Sequence, residues 1–108
     1  MVEYTLHLDS IFHSLSDPTR RDMLERVSRR EYSVGELVKQ YAVSFAAISK
    51  HVKVLEKAKL VVKRKEGKKY MVSVSHAGLK EADEYLEQYR LMWESRYSRL
   101  ETLLKEGE

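Results

Sequence analysis

The 108-residue sequence contains no cysteine, which excludes disulfides, thiolate metal sites and cysteine nucleophiles. With one proline and four glycines, little interrupts regular structure, and an ordered, helix-rich chain without low-complexity tracts or repeats is expected. No apolar run approaches the ~18 residues of a membrane span. The opening MVEYTLHLDS has neither the basic start nor the apolar middle of a signal peptide. A cytoplasmic location and no membrane partner are therefore expected. Ser, His and carboxylates all occur, but none forms a spaced nucleophile or paired-acid motif, and no glycine loop could cradle a phosphate. Neither an enzyme nor a cofactor is implied.

What the chain does contain is concentrated between Ser33 and Leu60, SVGELVKQYAVSFAAISKHVKVLEKAKL. Two short amphipathic helices are separated there by a gap that admits only a tight corner, the layout of a helix-turn-helix. The first buries Val34, Leu37, Val38 and Tyr41. The chain then turns at Ala42 and Val43, and Ser44 offers its hydroxyl as N-cap to the second.

Charge is distributed unevenly around this motif. From Lys50 to Lys69 there are nine Lys or Arg against Glu56 and Glu66, a local balance of +7 in a chain whose net charge is +3. Such a footprint suits a polyanion, because each cation placed at a phosphate releases condensed counterions. A solvated lysine-rich surface is the bland alternative. Since the run starts inside a helix-turn-helix and continues into a hairpin, double-stranded DNA is the expected partner.

The remaining segments complete a fold. Leu8, Ile11, Phe12 and Leu15 share one helical face, and that helix ends before Ser16. Asp17 and Pro18 suit the N-cap and first position of a second helix, with Met23, Leu24 and Val27 facing inward. Arg20 and Arg21 oppose the dipole at its start; a solvent-exposed pair is expected in preference to a phosphate contact. Val61, Val62, Tyr70, Val72 and Val74 favour strands, with a turn at Lys65-Glu66-Gly67-Lys68 where Gly67 can take a positive φ. Tyr70, alternating with Val72 and Val74, is expected in the core. From His76 to about Lys105 the helical period resumes, with Ser75 as N-cap. The fold class is mainly α with a small β-hairpin. A single winged-helix domain over residues 1–108 is expected, with the helix-turn-helix at 33–58, the wing at 61–74 and a long C-terminal dimerisation helix at 76–105.

On a helical wheel, Ser44, Ala47, Ile48, His51, Val52, Val54, Leu55 and Ala58 fall on one arc of the second motif helix, and Ala46, Ser49, Lys50, Lys53 and Lys57 on the other. Small Ala46 and Ser49 permit close approach to a major groove, and Lys50 and Lys53 reach base edges or phosphates. Phe45 stands between the faces, facing either a thymine methyl or the preceding helix. His51 lies toward the core, with a phosphate contact as its functional alternative. The DNA-contacting set is Ser44, Phe45, Ala46, Ser49, Lys50, His51 and Lys53, with Lys63, Arg64, Lys65 and Lys68 of the wing on the backbone, and Arg64 as the minor-groove residue.

In the last helix Leu79, Leu86, Trp93 and Leu100 recur every seven residues, joined by Ala82, Tyr89 and Leu103 and widened by Tyr85 and Tyr97. A helix this long outruns a small core, so a homodimer is expected through Leu8, Ile11, Phe12, Leu86, Tyr89, Trp93, Tyr97 and Leu100. Tyr85, Tyr89, Trp93 and Tyr97 pack that interface or wall a pocket for an unknown small-molecule effector. The competing function is a winged-helix module that uses the long helix to bind another protein.

LSDPTRRDMLERV (Leu15 to Val27) and SFAAISKHVKVLEKAKLV (Ser44 to Val61) resemble the second-helix and recognition-helix signatures of the ArsR family of winged-helix repressors. The resemblance implies a homodimer that binds an imperfect palindrome at its own or neighbouring promoters and represses transcription. Metal-sensing members carry a cysteine motif where this chain has Ser33-Val34-Gly35-Glu36-Leu37, and His76, Asp83 and Glu84 do not reproduce the second family site on the last helix. His7 and His13 are expected to be structural, and no metal is expected. Family members often place glutamine where Phe45 stands. The ending DEYLEQYRLMWESRYSRLETLLKE (Asp83 to Glu106) resembles a metal-independent subgroup.

Overall fold

The computed structural model describes residues 2–107, with side chains placed from His7 onward. Among these residues the order is α1 (Val2–Leu15), α2 (Pro18–Arg29), β1 (Tyr32–Ser33), α3 (Val34–Gln40), α4 (Phe45–Lys57), β2 (Val61–Glu66), β3 (Lys69–Val74) and α5 (His76–Glu106). Ile11, Met23, Leu37, Ile48, Val52, Leu55, Leu60, Val61 and Val72 meet in one core in which each is at most 1% exposed. Every helix from α1 to α4 contributes to it, as do both hairpin strands.

Local chemistry sets the helix starts. The amides of Thr19 and Arg20 donate to Asp17 Oδ1 at 2.8 and 3.1 Å, and Pro18 has no amide to satisfy. Those bonds, that from the Arg20 amide foremost, favour the ionised carboxylate and hold the Asp17 carboxyl below its usual range. At α3 the Glu36 amide donates to Ser33 Oγ and the Ser33 amide to Glu36 Oε1, both at 3.0 Å, a reciprocal capping box.

Of the arginine pair that the sequence suggests is solvent-exposed, Arg21 is exposed and Arg20 is buried. Arg20 is only 8% exposed; its Nε donates to Ser14 O at 2.8 Å and its Nη2 to His13 O at 3.1 Å. Arg21 Nη1 donates to Leu15 O at 2.7 Å. Both cations thus sit at the carbonyl end of α1, where the helix dipole favours them, and this offsets their unfavourable position at the start of α2.

The sheet has three strands in the order β1-β3-β2, all antiparallel, with Tyr32 opposite Val72 and Ser33 opposite Met71. A two-residue strand has no period to read, so β1 leaves no mark in the sequence. The hairpin closes at Glu66 opposite Lys69, with Gly67 at φ +64° in the first central position of a two-residue turn. Tyr70 departs from its expected place: it is 45% exposed, whereas Val72 is 1% exposed. The hairpin projects beyond the helices, so alternation alone does not bury a residue near its tip.

The end of α4 and the start of α5 are joined backbone to backbone. Lys59 takes the left-handed conformation at φ +58°, and the amides of Lys59 and Leu60 donate to Glu56 O and Leu55 O at 3.0 Å each, closing the helix in a Schellman motif. The Gly78 amide donates to Lys59 O at 2.8 Å. A Cβ at Gly78 would lie 2.5 Å from Ala58 O and 2.7 Å from Lys59 O, so only glycine allows this approach. Ser75 has extended backbone at the cap position, but its hydroxyl makes no capping bond; its amide donates to Leu60 O at 2.9 Å instead.

Helix α5 has 31 residues, a length of roughly 46 Å at ~1.5 Å per residue. It leaves the body after its first turns. The Cα radius of gyration is 18.7 Å, against about 13 Å for a compact chain of this length.

Candidate nucleic-acid interface

Helix α4 carries the exposed lysines expected at a polyanion interface. Ser44 Oγ accepts from the Ala47 amide at 3.1 Å and fixes the start of the helix. Ile48, Val52, Leu55 and Ala58 then bury one face. Ala46, Lys50, Lys53 and Lys57 are exposed on the other, with Ser49 and His51 half-buried between them. Phe45, Ala46, Ala47, Ser49, Lys50, Lys53 and Lys63 line a groove of about 710 Å³ between α4 and the hairpin. Seven side chains from two elements thus converge, and Phe45, 60% exposed, also lines a cleft with Val34, Gly35, Glu36 and Lys39 of α3.

The hairpin divides its cations between two faces, because successive strand residues point in opposite directions. Lys63 lies over the Tyr70 ring, 5.1 Å from its centroid, on the side of the groove. Lys65 shares the Lys63 face, and Lys68 stands exposed at the turn. Arg64 emerges on the other side, where it pairs with Glu31 and donates to Glu66 Oε2 at 2.7 Å. The hydrogen bond to Glu31 is the main reason that the Arg64 guanidinium is held even more firmly in its charged form. The structure thus brings Lys63 to the reader helix and ties Arg64 to the body.

Two groups that support the reader have no signature in its own sequence. Arg20 Nη1 stands 3.2 Å from His51 Nδ1, linking α2 to α4. Tyr41 Oη donates to Asp22 Oδ2 at 2.5 Å, and Arg26 Nε donates to the same oxygen at 2.9 Å, fixing the end of α3 against α2. The Tyr41 bond, followed by the Arg26 bond, keeps the Asp22 carboxyl below its usual range. Burial, then the adjacent Asp22, pushes the Tyr41 phenol up. A buried arginine cannot be told from an exposed one by spacing alone.

The expected interface residues fall into two groups. Leu8 and Ile11 are 7% and 0% exposed and belong to the subunit's own core. Phe12 remains 40% exposed and meets Tyr85 edge-on, with ring centroids 5.9 Å apart. Leu86, Tyr89, Trp93, Tyr97 and Leu100 are all about half exposed or more, with Tyr89 against the Tyr85 ring and Trp93 against Tyr97. His7 pairs with Glu81, joining α1 to α5. Among the described residues no group of three or more His, Asp or Glu could hold a metal ion, and no helix is long and apolar enough to cross a membrane.

A helix-turn-helix domain family matches residues 15–64. The chain is also similar to a solved ArsR family transcriptional regulator, RHA00566, at 30% identity and a TM-score of 0.77, with 84% of this chain and 94% of that one covered. The chain belongs to the ArsR family. Its second-helix and reader signatures, noted as a resemblance, thus mark true membership of this family of transcriptional regulators, which is not a class of enzymes. Among curated relatives, the HTH-type transcriptional regulator Rv2034 of Mycobacterium tuberculosis is 38% identical over 71 residues, 66% of each protein. The arsenical resistance operon repressor of Staphylococcus xylosus is 35% identical over 69 residues, 64% of this chain and 66% of that protein. The matched region thus spans about two thirds of those relatives. The winged helix of this ArsR-family chain is the mainly α fold expected, and its small antiparallel sheet has a third strand, Tyr32–Ser33, beside the hairpin.

Proposed function

We propose that this ArsR-family regulator acts as a homodimeric repressor whose two α4 helices enter successive major grooves of a palindromic operator, about 34 Å apart. The observation that carries this reading is the α4–hairpin groove, in which small Ala46 and Ser49 leave room for close approach while Lys50, Lys53 and Lys63 surround them. Ser44, Phe45, Ala46, Ser49, Lys50, His51 and Lys53 meet the groove or its flanking phosphates. Lys63, Lys65 and Lys68 add backbone affinity. Arg64 joins them only if its carboxylate partners release it. The exposed α5 stripe, together with Phe12, pairs with a second copy. A cytoplasmic site of action and release by a small molecule are part of the same reading, whereas an adaptor that uses α5 to hold another protein is the competing one.

Binding of the chain's own promoter duplex, compared with random duplex across a salt series, tests the proposal. Affinity should fall steeply with salt and favour the promoter, and Lys50→Ala with Lys53→Ala should flatten the logarithmic slope by about 0.9 for each phosphate left without its lysine. Equal binding of both duplexes would reject sequence-specific repression. A Trp93 change that abolishes a hetero-complex while sparing the homodimer and DNA binding would favour the adaptor.

A further inference from the structure

His51 lies on the margin between the reading face and the core, and its surroundings define which of its nitrogens can act. Arg20 reaches it from α2. The guanidinium is nearly buried and fully directed: Nε donates to Ser14 O, Nη2 to His13 O, and Nη1 stands 3.2 Å from His51 Nδ1 and 3.9 Å from Asp17 Oδ2. An arginine side chain only donates, so Nδ1 must be the acceptor of that bond. In the neutral ring the proton then belongs to Nε2. That nitrogen has no hydrogen-bond partner among the described residues and, unlike Nε2 of His7, is not sealed from solvent.

We propose that Arg20 is a positioning residue of the DNA site, holding His51 as the Nε2–H tautomer so that Nε2 donates to a backbone phosphate of duplex DNA. This rests on the DNA-binding reading above and adds to it a neutral contact beside the lysines. Donation from Arg20 into Nδ1 polarises the ring and strengthens the opposite N–H as a donor. Exposed Lys50 is the residue before His51, about 100° round the helix, and adds positive charge on that side of α4. Arg20 also anchors on the last carbonyls of α1, whose Phe12 packs on Tyr85 of α5. Arg20 thereby ties His51 of α4 to the end of α1.

Histidine-selective nitrogen NMR of the full chain at about pH 8, above the ordinary imidazole range, reads the tautomer directly. The expected result is Nε2–H for His51 in the wild type and a mixture of tautomers in Arg20→Met. Affinity is read on a duplex that the wild-type protein selects from genomic fragments. His51→Ala and Arg20→Met should each weaken binding about five- to tenfold, the double variant should lose no more than either, and Arg20→Lys should recover part of the loss. The salt slope should stay that of the wild type, since a neutral donor releases no counterion. An Nδ1–H ring in the wild type, full affinity in His51→Ala, or additive losses would overturn the proposal. If Arg20→Met does not fold, the wild-type tautomer and His51→Ala decide the matter. A wild type that shows no salt-dependent duplex binding rejects the DNA reading itself, whereas tight binding indifferent to His51→Ala rejects only this inference.

Discussion

In α4, Ile48, Val52 and Leu55 are at most 1% exposed, while in the far half of α5 Trp93, Tyr97 and Leu103 are 62%, 58% and 64% exposed. Both helices carry an apolar stripe at helical spacing, and the stripe of α5 is continuous with Ala82, which is buried. The two regions therefore differ in what lies opposite the stripe and not in the stripe itself. Beyond the body, α5 has ion pairs of Arg90 with Glu87 and Glu94 and the Trp93–Tyr97 ring contact. Such exposed pairs add little stability on their own. Periodicity thus specifies which face wants cover, and the fold around it decides whether the same chain provides it.

The largest expected effect lies in the body. Leu55→Ala should lower unfolding free energy by about 2–5 kcal/mol in urea melts at fixed protein concentration; a near-neutral result would mean that the body leans on α5 pairing as heavily as on its own core. Next, Trp93→Ala should weaken self-association by about 2–4 kcal/mol in sedimentation equilibrium while the body keeps its helical signal. An unchanged dimer would remove the distal stripe from the interface and collapse the contrast. Gly78→Ala, at the joint between the two regions, should cost about 1–3 kcal/mol, because a methyl there meets the carbonyls of Ala58 and Lys59.

The smallest expected effect concerns acid. Asp22 ionises more readily in the folded body than its ordinary carboxyl value because Tyr41 and Arg26 donate to it. The unfolded chain then binds the proton first, so this contribution is fully present above about pH 4 and is lost as pH falls through the folded value. Asp22→Asn should flatten that part of the stability–pH curve. A curve unchanged by Asp22→Asn would assign the acid sensitivity to other carboxylates, Asp17 and Glu36 among them.

Much of this architecture is legible in the chain itself. The helix starts at Asp17 and Ser33–Val34, the cap at Ser44, the turn at Gly67 and the two faces of α4 follow from residue chemistry within one or two turns of chain. What is not legible depends on distant partners. Arg20 reads as exposed because its acceptors, the carbonyls of His13 and Ser14, belong to another helix and have no side-chain signature. Tyr70 reads as buried because alternation does not reveal how far a hairpin extends past its core. Leu8 and Ile11 share a face with Phe12, yet the body covers the first two and leaves Phe12 half open. In the groove between α4 and the hairpin, spacing finds the lysines of α4, but only the strand register shows that Lys63 and Arg64 part company.

The backbone contact between Gly78 and the end of α4 turns α5 into a lever with its fulcrum beside the reader. From that pivot to Glu106 the arm is roughly 42 Å long at ~1.5 Å per residue. A tilt of about 5° there would sweep the far tip through roughly 4 Å over such an arm. Conversely, whatever clamps the distal tips fixes the pivot angle with a large mechanical advantage. In a pair of such chains, the separation of the two reader helices would be set by side chains that never come near the nucleic acid.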